Sequence, residues 1–195
     1  MSNGRTELWL VRHGQTDWNV EGRYQGQADM PLNEFGIKQA QDLAEKLRNV
    51  NFAAIYSSDL QRALSTAKIL AGGREVSIDP RLREINQGEW EGQLFDVIRQ
   101  RYANFFENRL ENPLESRPPG GESLKEVAER VKSCVDEITS HHPGERVLIV
   151  SHGLVIATLI TASRGIPLSK AFELIPDNAE PSIVIWPPDL NGREK

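Results

Sequence analysis

Two apolar runs in this chain end in the same way. Residues 7–14 read ELWLVRHG and residues 147–153 read VLIVSHG, so each run delivers a histidine and a glycine just past its last apolar residue. RVLIVS at 146–151 is almost continuously apolar, the pattern of a strand covered on both faces, as in parallel sheets. Parallel strands need crossovers, and the segments between the runs supply helices. Asn33 is placed to cap a helix running to about Asn49, with Ile37, Ala40, Leu43, Ala44 and Leu47 at helical spacing. FAAIYS at 52–57 predicts a second strand, residues 60–71 a helix stopped by Gly72 and Gly73, and VSI at 76–78 a short strand. The clearest helix spans about 122–140, where Leu124, Val127, Ala128, Val131, Cys134, Val135 and Ile138 line one face. A helix over about 153–163 and a strand over 182–186 follow. This alternation predicts a three-layer α/β/α sandwich with a mostly parallel central sheet.

The 195 residues suit one domain with a full core, residues 1–195. Residues 93–120 break the rhythm. Phe95, Val97, Ile98, Tyr102, Phe105 and Phe106 suggest a helix, and ENPLESRPPGG reads as loop, so this region is expected to be a small insertion covering a site.

Composition narrows the function. Apolar residues make up 38% and charged residues 26%, as in ordinary globular chains. No apolar run reaches the roughly 20 residues of a membrane helix, and MSNGRTELWL lacks the pattern of a secretory leader, so no membrane partner is expected. A net charge of −5 argues against a general affinity for nucleic acid. The single cysteine, Cys134, lies on an apolar helix face as a buried thiol would, and it fits a reducing cytoplasm. The sequence carries no signal for an oligomeric state.

In open α/β sheets ligands bind outside the carboxyl ends of strands, so His13 and His152 are expected to face one crevice. Gly14 and Gly153 would let backbone approach a ligand there, and the amides opening the helix after His152 would favour an anion. Arg12 adjoins His13, and Arg62 stands in SSDLQRA at the start of a helix; guanidinium forks match phosphate oxygens. Asn19 adds a neutral donor or serves as a turn residue. Glu84, in RLREINQGEWEG, is the best-placed carboxylate for proton transfer, with Glu89, Glu91 and Glu122 as neighbours in sequence. Two histidines, two arginines and a glutamate are what phosphoryl transfer without a metal needs. His141 and His142 are adjacent at a helix end and point apart, which is poor geometry for a metal pair, and neither a metal nor a cofactor is expected. Trp18 and Trp90 admit two readings, pocket wall or core, as do Tyr102, Phe105 and Phe106.

These residues carry a resemblance. LVRHGQTDWN at 10–19, YQGQADMPLNEFGIKQA at 24–40, IYSSDLQRALSTA at 55–67, LREINQGEWEG at 82–92, PPGGES at 118–123 and VLIVSHG at 147–153 together resemble the histidine phosphatase superfamily, the phosphoglycerate mutase-like proteins. The resemblance implies His13 as nucleophile and Arg12, Arg62 and His152, with Gly153 beside it, as the phosphate pocket. It further implies Asn19 as a donor, Glu84 as proton donor, and Gln25 and Gly26 as a substrate-side loop. A neutral imidazole is needed for attack, and Arg12 next to His13 would favour it.

The implied activity is hydrolysis of small phosphorylated metabolites through a phosphohistidine, with broad specificity or with α-ribazole phosphate as one specific substrate. A phosphoglycerate mutase is the competing enzyme, and a binding module that lost its chemistry is the third reading. In the mutase branch the glutamate is followed by Arg-His-Tyr-Gly and the insertion is longer. Here Ile85, Asn86, Gln87 and Gly88 follow Glu84, which favours the phosphatase.

Overall fold

The strand Arg146–Ser151 (β4) is the centre of the molecule, and its residues divide strictly by parity. Val147 and Ile149 face one hydrophobic cluster and Leu148 and Val150 the other, all without solvent exposure. A strand buried on both faces favours apolar side chains on each, which is why residues 147–150 form a continuous apolar run rather than an alternating one. Each such side chain contributes about 1.5–3 kcal/mol of burial.

In the computed structural model, which describes residues 4–189, a five-stranded sheet runs in the order β3-β2-β4-β1-β5. The strands are β1 (Thr6–Arg12), β2 (Ala54–Ser57), β3 (Ser77–Ile78), β4 and β5 (Pro181–Trp186). The first four are mutually parallel and β5 is antiparallel to β1. As an edge strand, β5 alternates exposed Ile183 and Ile185 with buried Val184 and Trp186. The fold is α/β with a mostly parallel central sheet, as the sequence predicts.

Helices α2 (Glu34–Leu47) and α3 (Gln61–Ala71) cover the face that buries Leu43, Ala63, Ala67 and Ala71. Helices α6 (Leu124–Ser140) and α7 (Gly153–Arg164) cover the other. Asn33 caps α2 by accepting from Gly36 N, as its position in the sequence suggests. Ser123 and Glu126 form a reciprocal capping box on α6, a feature worth about 0.5–2 kcal/mol. Cys134 is buried on α6, and burial pushes its thiol up to about 12.

Several local expectations need correction. Ile37 remains 41% exposed, because α2 buries only a narrow stripe against the sheet. Residues 93–120 hold two helices, α4 (Phe95–Arg101) and α5 (Ala103–Glu111), separated at Tyr102. A short helix, α1 (Asp17–Glu21), follows β1 and was not foreseen; five residues carry too little periodicity to read. Among the described residues no helix is long and apolar enough to cross a membrane.

Candidate active site

The register of β1 against β4 sets the site. Arg12 pairs with Ser151, and His13 N donates to Ser151 O at 3.0 Å, so the residues that leave the two strands do so side by side. The rings of His13 and His152 lie 5.2 Å apart between centroids. Two sequence-distant histidines are thus brought into one place by strand pairing alone.

His13 is held in one orientation. Its Nδ1 is 2.7 Å from Gly14 O, so the proton sits on Nδ1 and the lone pair on Nε2. Arg62 Nε donates to that Nε2 at 3.3 Å. Burial, then Arg62, then Arg12 hold the imidazole well below its ordinary pKa, against the pull of the Gly14 carbonyl. The sequence reading credited Arg12 with this effect; burial and Arg62 both outrank it.

Arg62 is fully buried. Its Nη1 donates to Ala28 O and its Nη2 to Gly26 O, each at 2.7 Å, so the 25–28 loop fixes the guanidinium. Burial lowers it to about 10, opposed by Glu84, Asp29 and Glu91, and it stays charged at neutral pH. Arg12 Nη1 donates to Pro176 O at 2.8 Å, while its buried Nε has no partner. Pro176 belongs to the segment before β5, as does Asn178, which donates to His13 O at 2.7 Å. Neither carries a motif, and sequence reasoning missed both.

His152 is wholly buried and is not among the residues lining the open cavity. Its Nε2 lies 2.9 Å from Ser58 Oγ, which already accepts from Leu60 N. On the other side of the ring His152 Nδ1 is a buried atom with no partner. Burial, Arg62, His13, Arg130 and Arg12 hold this ring well below its ordinary pKa as well. Arg12 Nε and His152 Nδ1 are thus two buried nitrogens without partners, on the residue preceding His13 and on the ring 5.2 Å from it, and an incoming anion would satisfy the guanidinium N–H.

Glu84 lines the same cavity, whereas Glu89, Glu91 and Glu122 do not. Glu84 Oε1 accepts from Ile85 N at 2.9 Å and Oε2 from Leu154 N at 3.2 Å. The start of α7, expected to face an anion, thus gives one of its amides to this carboxylate. Glu91 binds Gln27 N and Gln87 N, and Glu122 pairs with Arg130.

Asn19 accepts at Oδ1 from Thr16 N and Thr16 Oγ1, both at 3.1 Å, which leaves its amide nitrogen for the cavity it lines. Gln25 and Gly26 also line the cavity. Gly14 acts differently from expectation, whereas Gly153 lines the cavity. A Cβ at Gly14 would lie 2.4 Å from Gly36 O, so Gly14 permits α2 to approach β1 and not a ligand to approach backbone. A Cβ at Gly153 would meet Ile175 at 2.8 Å and Arg12 Nε at 3.4 Å, so Gly153 makes room for the arginine.

The cavity measures about 270 Å³. Its lining includes six aromatic residues, Tyr24, Trp90, Phe95, Phe105, Phe106 and Phe172. Trp90 is both wall and core, only 1% exposed and in contact with Tyr102, Phe105 and Phe106. Trp18 is not on the wall; its ring packs under Gly92. Arg23, Tyr24, Arg109 and Phe172 are wall residues that sequence reasoning did not place there. Tyr24 adjoins Gln25 and was within reach of that reading. Phe172 lies in a stretch without any motif. His142 is tied to Glu145 and Tyr56, and among the described residues no group of three His, Cys, Asp or Glu side chains could hold a metal ion.

Comparison with known proteins adds an independent line. Residues 8–191 match the profile of the histidine phosphatase superfamily (branch 1). The chain is 37% identical over 163 residues to the probable phosphoglycerate mutase GpmB of Cronobacter sakazakii, covering 83% of this chain and 76% of that protein. It is 37% identical over 180 residues to phosphoserine phosphatase 1 of Hydrogenobacter thermophilus, covering 91% and 85%. The crystal structure of the α-ribazole phosphatase from Shigella flexneri superposes with a TM-score of 0.82 at 33% identity, over 91% of this chain and 89% of that one.

Proposed function

The chain belongs to the histidine phosphatase superfamily, and from that premise we propose that it hydrolyses phosphomonoesters of small metabolites through a phosphohistidine at His13, without a metal or cofactor. The observation that carries this reading is the fixed His13 ring: a lone pair on Nε2, kept neutral, beside two guanidinium groups, with Arg12 Nε and His152 Nδ1 buried and unpartnered.

Nε2 of His13 attacks phosphorus as the bond to the leaving oxygen breaks, and Glu84 gives that oxygen a proton. Water then attacks the phosphohistidine, Glu84 takes a proton from it, and phosphate leaves with His13 neutral again. Arg12, Arg62, His152 and Asn19 stabilise charge on the equatorial oxygens, which is most of what a loose phosphoryl transfer requires. Gln25, Gly26 and Gly153 shape the pocket: Gly26 O tethers Arg62, and Gly153 admits Arg12. Residues 1–195 act as one catalytic domain. Residues 93–120 form its cover, a role supported by Phe105, Phe106, Arg109, Ser116 and Pro118 on the cavity wall. The lone buried thiol of Cys134 fits a cytoplasmic location.

The likeness to GpmB favours a mutase as the second reading. Ile85 weighs against it, being an apolar wall residue where the mutase branch places arginine.

The test is direct. His13→Ala should abolish turnover with an unchanged circular dichroism spectrum, and wild-type enzyme quenched during turnover should carry acid-labile, base-stable phosphate on His13. Activity should survive chelator and be inhibited by vanadate. Label on a serine or aspartate, or activity that vanishes with chelator and returns with magnesium, would contradict the reading.

A further inference from the structure

The segment that carries Glu84 has no hydrogen-bonded ladder of its own. Residues 83–87 belong to neither helix nor strand, yet each carbonyl from Arg81 to Glu84 is bound by a side chain. Backbone groups away from water need partners, and here one side chain supplies most of them. Arg130, on α6, donates through Nη1 to Arg81 O and Arg83 O, both at 2.8 Å, and through Nη2 to Glu84 O at 3.0 Å. Its Nε and Nη2 also donate to the Glu122 carboxylate, at 2.8 and 2.9 Å. A guanidinium has five N–H donors, and Arg130 has five acceptors for them. Ser151 Oγ fills the gap in the series by donating to Leu82 O at 2.7 Å. Glu122, from the PPGGES motif, closes the grip on the far side of Glu84. Asn86 N donates to Glu122 Oε2 at 2.8 Å, and Glu122 N donates to Asn86 O at 2.9 Å.

Neither Arg130 nor Glu122 lines the cavity, so their effect on chemistry passes through what they hold. The backbone of Glu84 is fixed from α6, and its carboxylate from α7, where Leu154 N donates to Oε2. A proton donor works only within hydrogen-bond reach of the leaving oxygen, and a misplacement of about 1 Å costs on the order of 100-fold. A lysine at this position would satisfy Glu122 but has three donors for five acceptors and no planar fork. Resting on the phosphatase reading above, we infer that Arg130, braced by Glu122, is a positioning residue for proton transfer: it holds the backbone of Glu84 so that the carboxyl reaches the oxygen of the leaving alcohol. Arg130 acts through Glu84 and touches no substrate.

The test compares Glu84→Gln, Arg130→Met and the double variant on two esters of similar size. Benzyl phosphate has a poor leaving group, and 4-nitrophenyl phosphate has one that departs without a proton. The readout is kcat/KM, which reports the step that expels the alcohol. Arg130→Met should cost benzyl phosphate about 30-fold or more and 4-nitrophenyl phosphate under about fivefold. In the Glu84→Gln enzyme the same substitution should cost benzyl phosphate under about threefold, because glutamine has no proton to place. The charge of Arg130 also bears on His152, but that influence falls on both esters alike, so the split between them isolates Glu84. Glu122→Gln, which keeps an acceptor for Asn86 N, should show the same split with a smaller loss. It decides the matter if Arg130→Met fails to give a folded circular dichroism spectrum. Loss by one common factor on both esters, or no loss, in the folded variant overturns the inference and leaves the phosphatase reading standing. An undiminished loss in the Glu84→Gln background also overturns it, since that is how a strut that merely stabilises the domain would behave. Absence of phosphate release from both esters by wild-type enzyme would remove the phosphatase reading and this inference with it.

Discussion

Arg62 and His13 meet nitrogen to nitrogen, with Nε of the buried guanidinium 3.3 Å from Nε2 of the imidazole. The contact presents the His13 lone pair to a donor and sets a positive charge beside it, so a protonated His13 is disfavoured twice, by burial and by this neighbour. The Gly14 carbonyl on the opposite ring nitrogen keeps the tautomer in register. Imidazole and guanidinium are thereby one unit, anchored by the carbonyls of Gly26 and Ala28.

The first prediction concerns stability and pH. In the unfolded chain a histidine takes up its proton near pH ~6.5. In the folded protein His13 and His152 stay neutral to well below their ordinary value. Below the unfolded pKa the unfolded state binds more protons, so this contribution is complete above it and lost as pH falls, at up to about 1.4 kcal/mol per pH unit for each ring. Urea midpoints should decline from pH 7 to pH 5, and His152→Asn should give a shallower decline. Parallel slopes in the two proteins would show that His152 is not held neutral.

A second prediction isolates the tautomer of His152. Ser58→Ala removes the hydroxyl that lies 2.9 Å from Nε2 and ties the buried ring, so its orientation and tautomer are no longer specified. The expected loss is about 10- to 100-fold in kcat, corresponding to roughly 1.4–2.7 kcal/mol, with weaker inhibition by vanadate. Steady-state kinetics with both readouts check it; an unchanged vanadate constant would assign Ser58 to packing.

Glu84 carries the third prediction. A proton donor matters most when the leaving group is poor. Glu84→Gln should cost alkyl phosphates at least 100-fold and 4-nitrophenyl phosphate under tenfold, and Glu89→Gln should be near neutral on both. Equal losses on the two substrates would move the acid role to another residue, with Glu122 next in line.

The fourth prediction separates hydrolysis from mutation of phosphoglycerate. A mutase must hold the phosphorylated enzyme dry while the bound acid turns round. Ile85 brings no charge to the wall, and the helices that follow it, α4 and α5, are only seven and nine residues long. With 3-phosphoglycerate and a trace of 2,3-bisphosphoglycerate, inorganic phosphate should form in a simple time course with little 2-phosphoglycerate. Interconversion of the monophosphates that outpaces phosphate release by a wide margin would make the enzyme a mutase.

What the sequence determined by itself is the periodic and the local. The apolar run of β4 dictated a strand covered on both faces, the alternation of strands and helices dictated the layers, and Asn33 fixed where α2 begins. His13, His152, Arg12, Arg62 and Glu84 were legible because each stands at the end of an element whose type could be read. Tertiary structure decided the rest, because side-chain environment depends on residues far apart in the chain. Only folding puts Arg62, 49 positions from His13, at its Nε2. Only folding turns the amide of Leu154 onto Glu84 and gives Gly14 to Gly36 instead of to a ligand. Arg109, Phe106 and Phe172 show the limit most clearly. A cation stacked on aromatic rings has no spacing rule, since the contact joins two segments through open space, and it is found only where packing has already denied the cation a carboxylate.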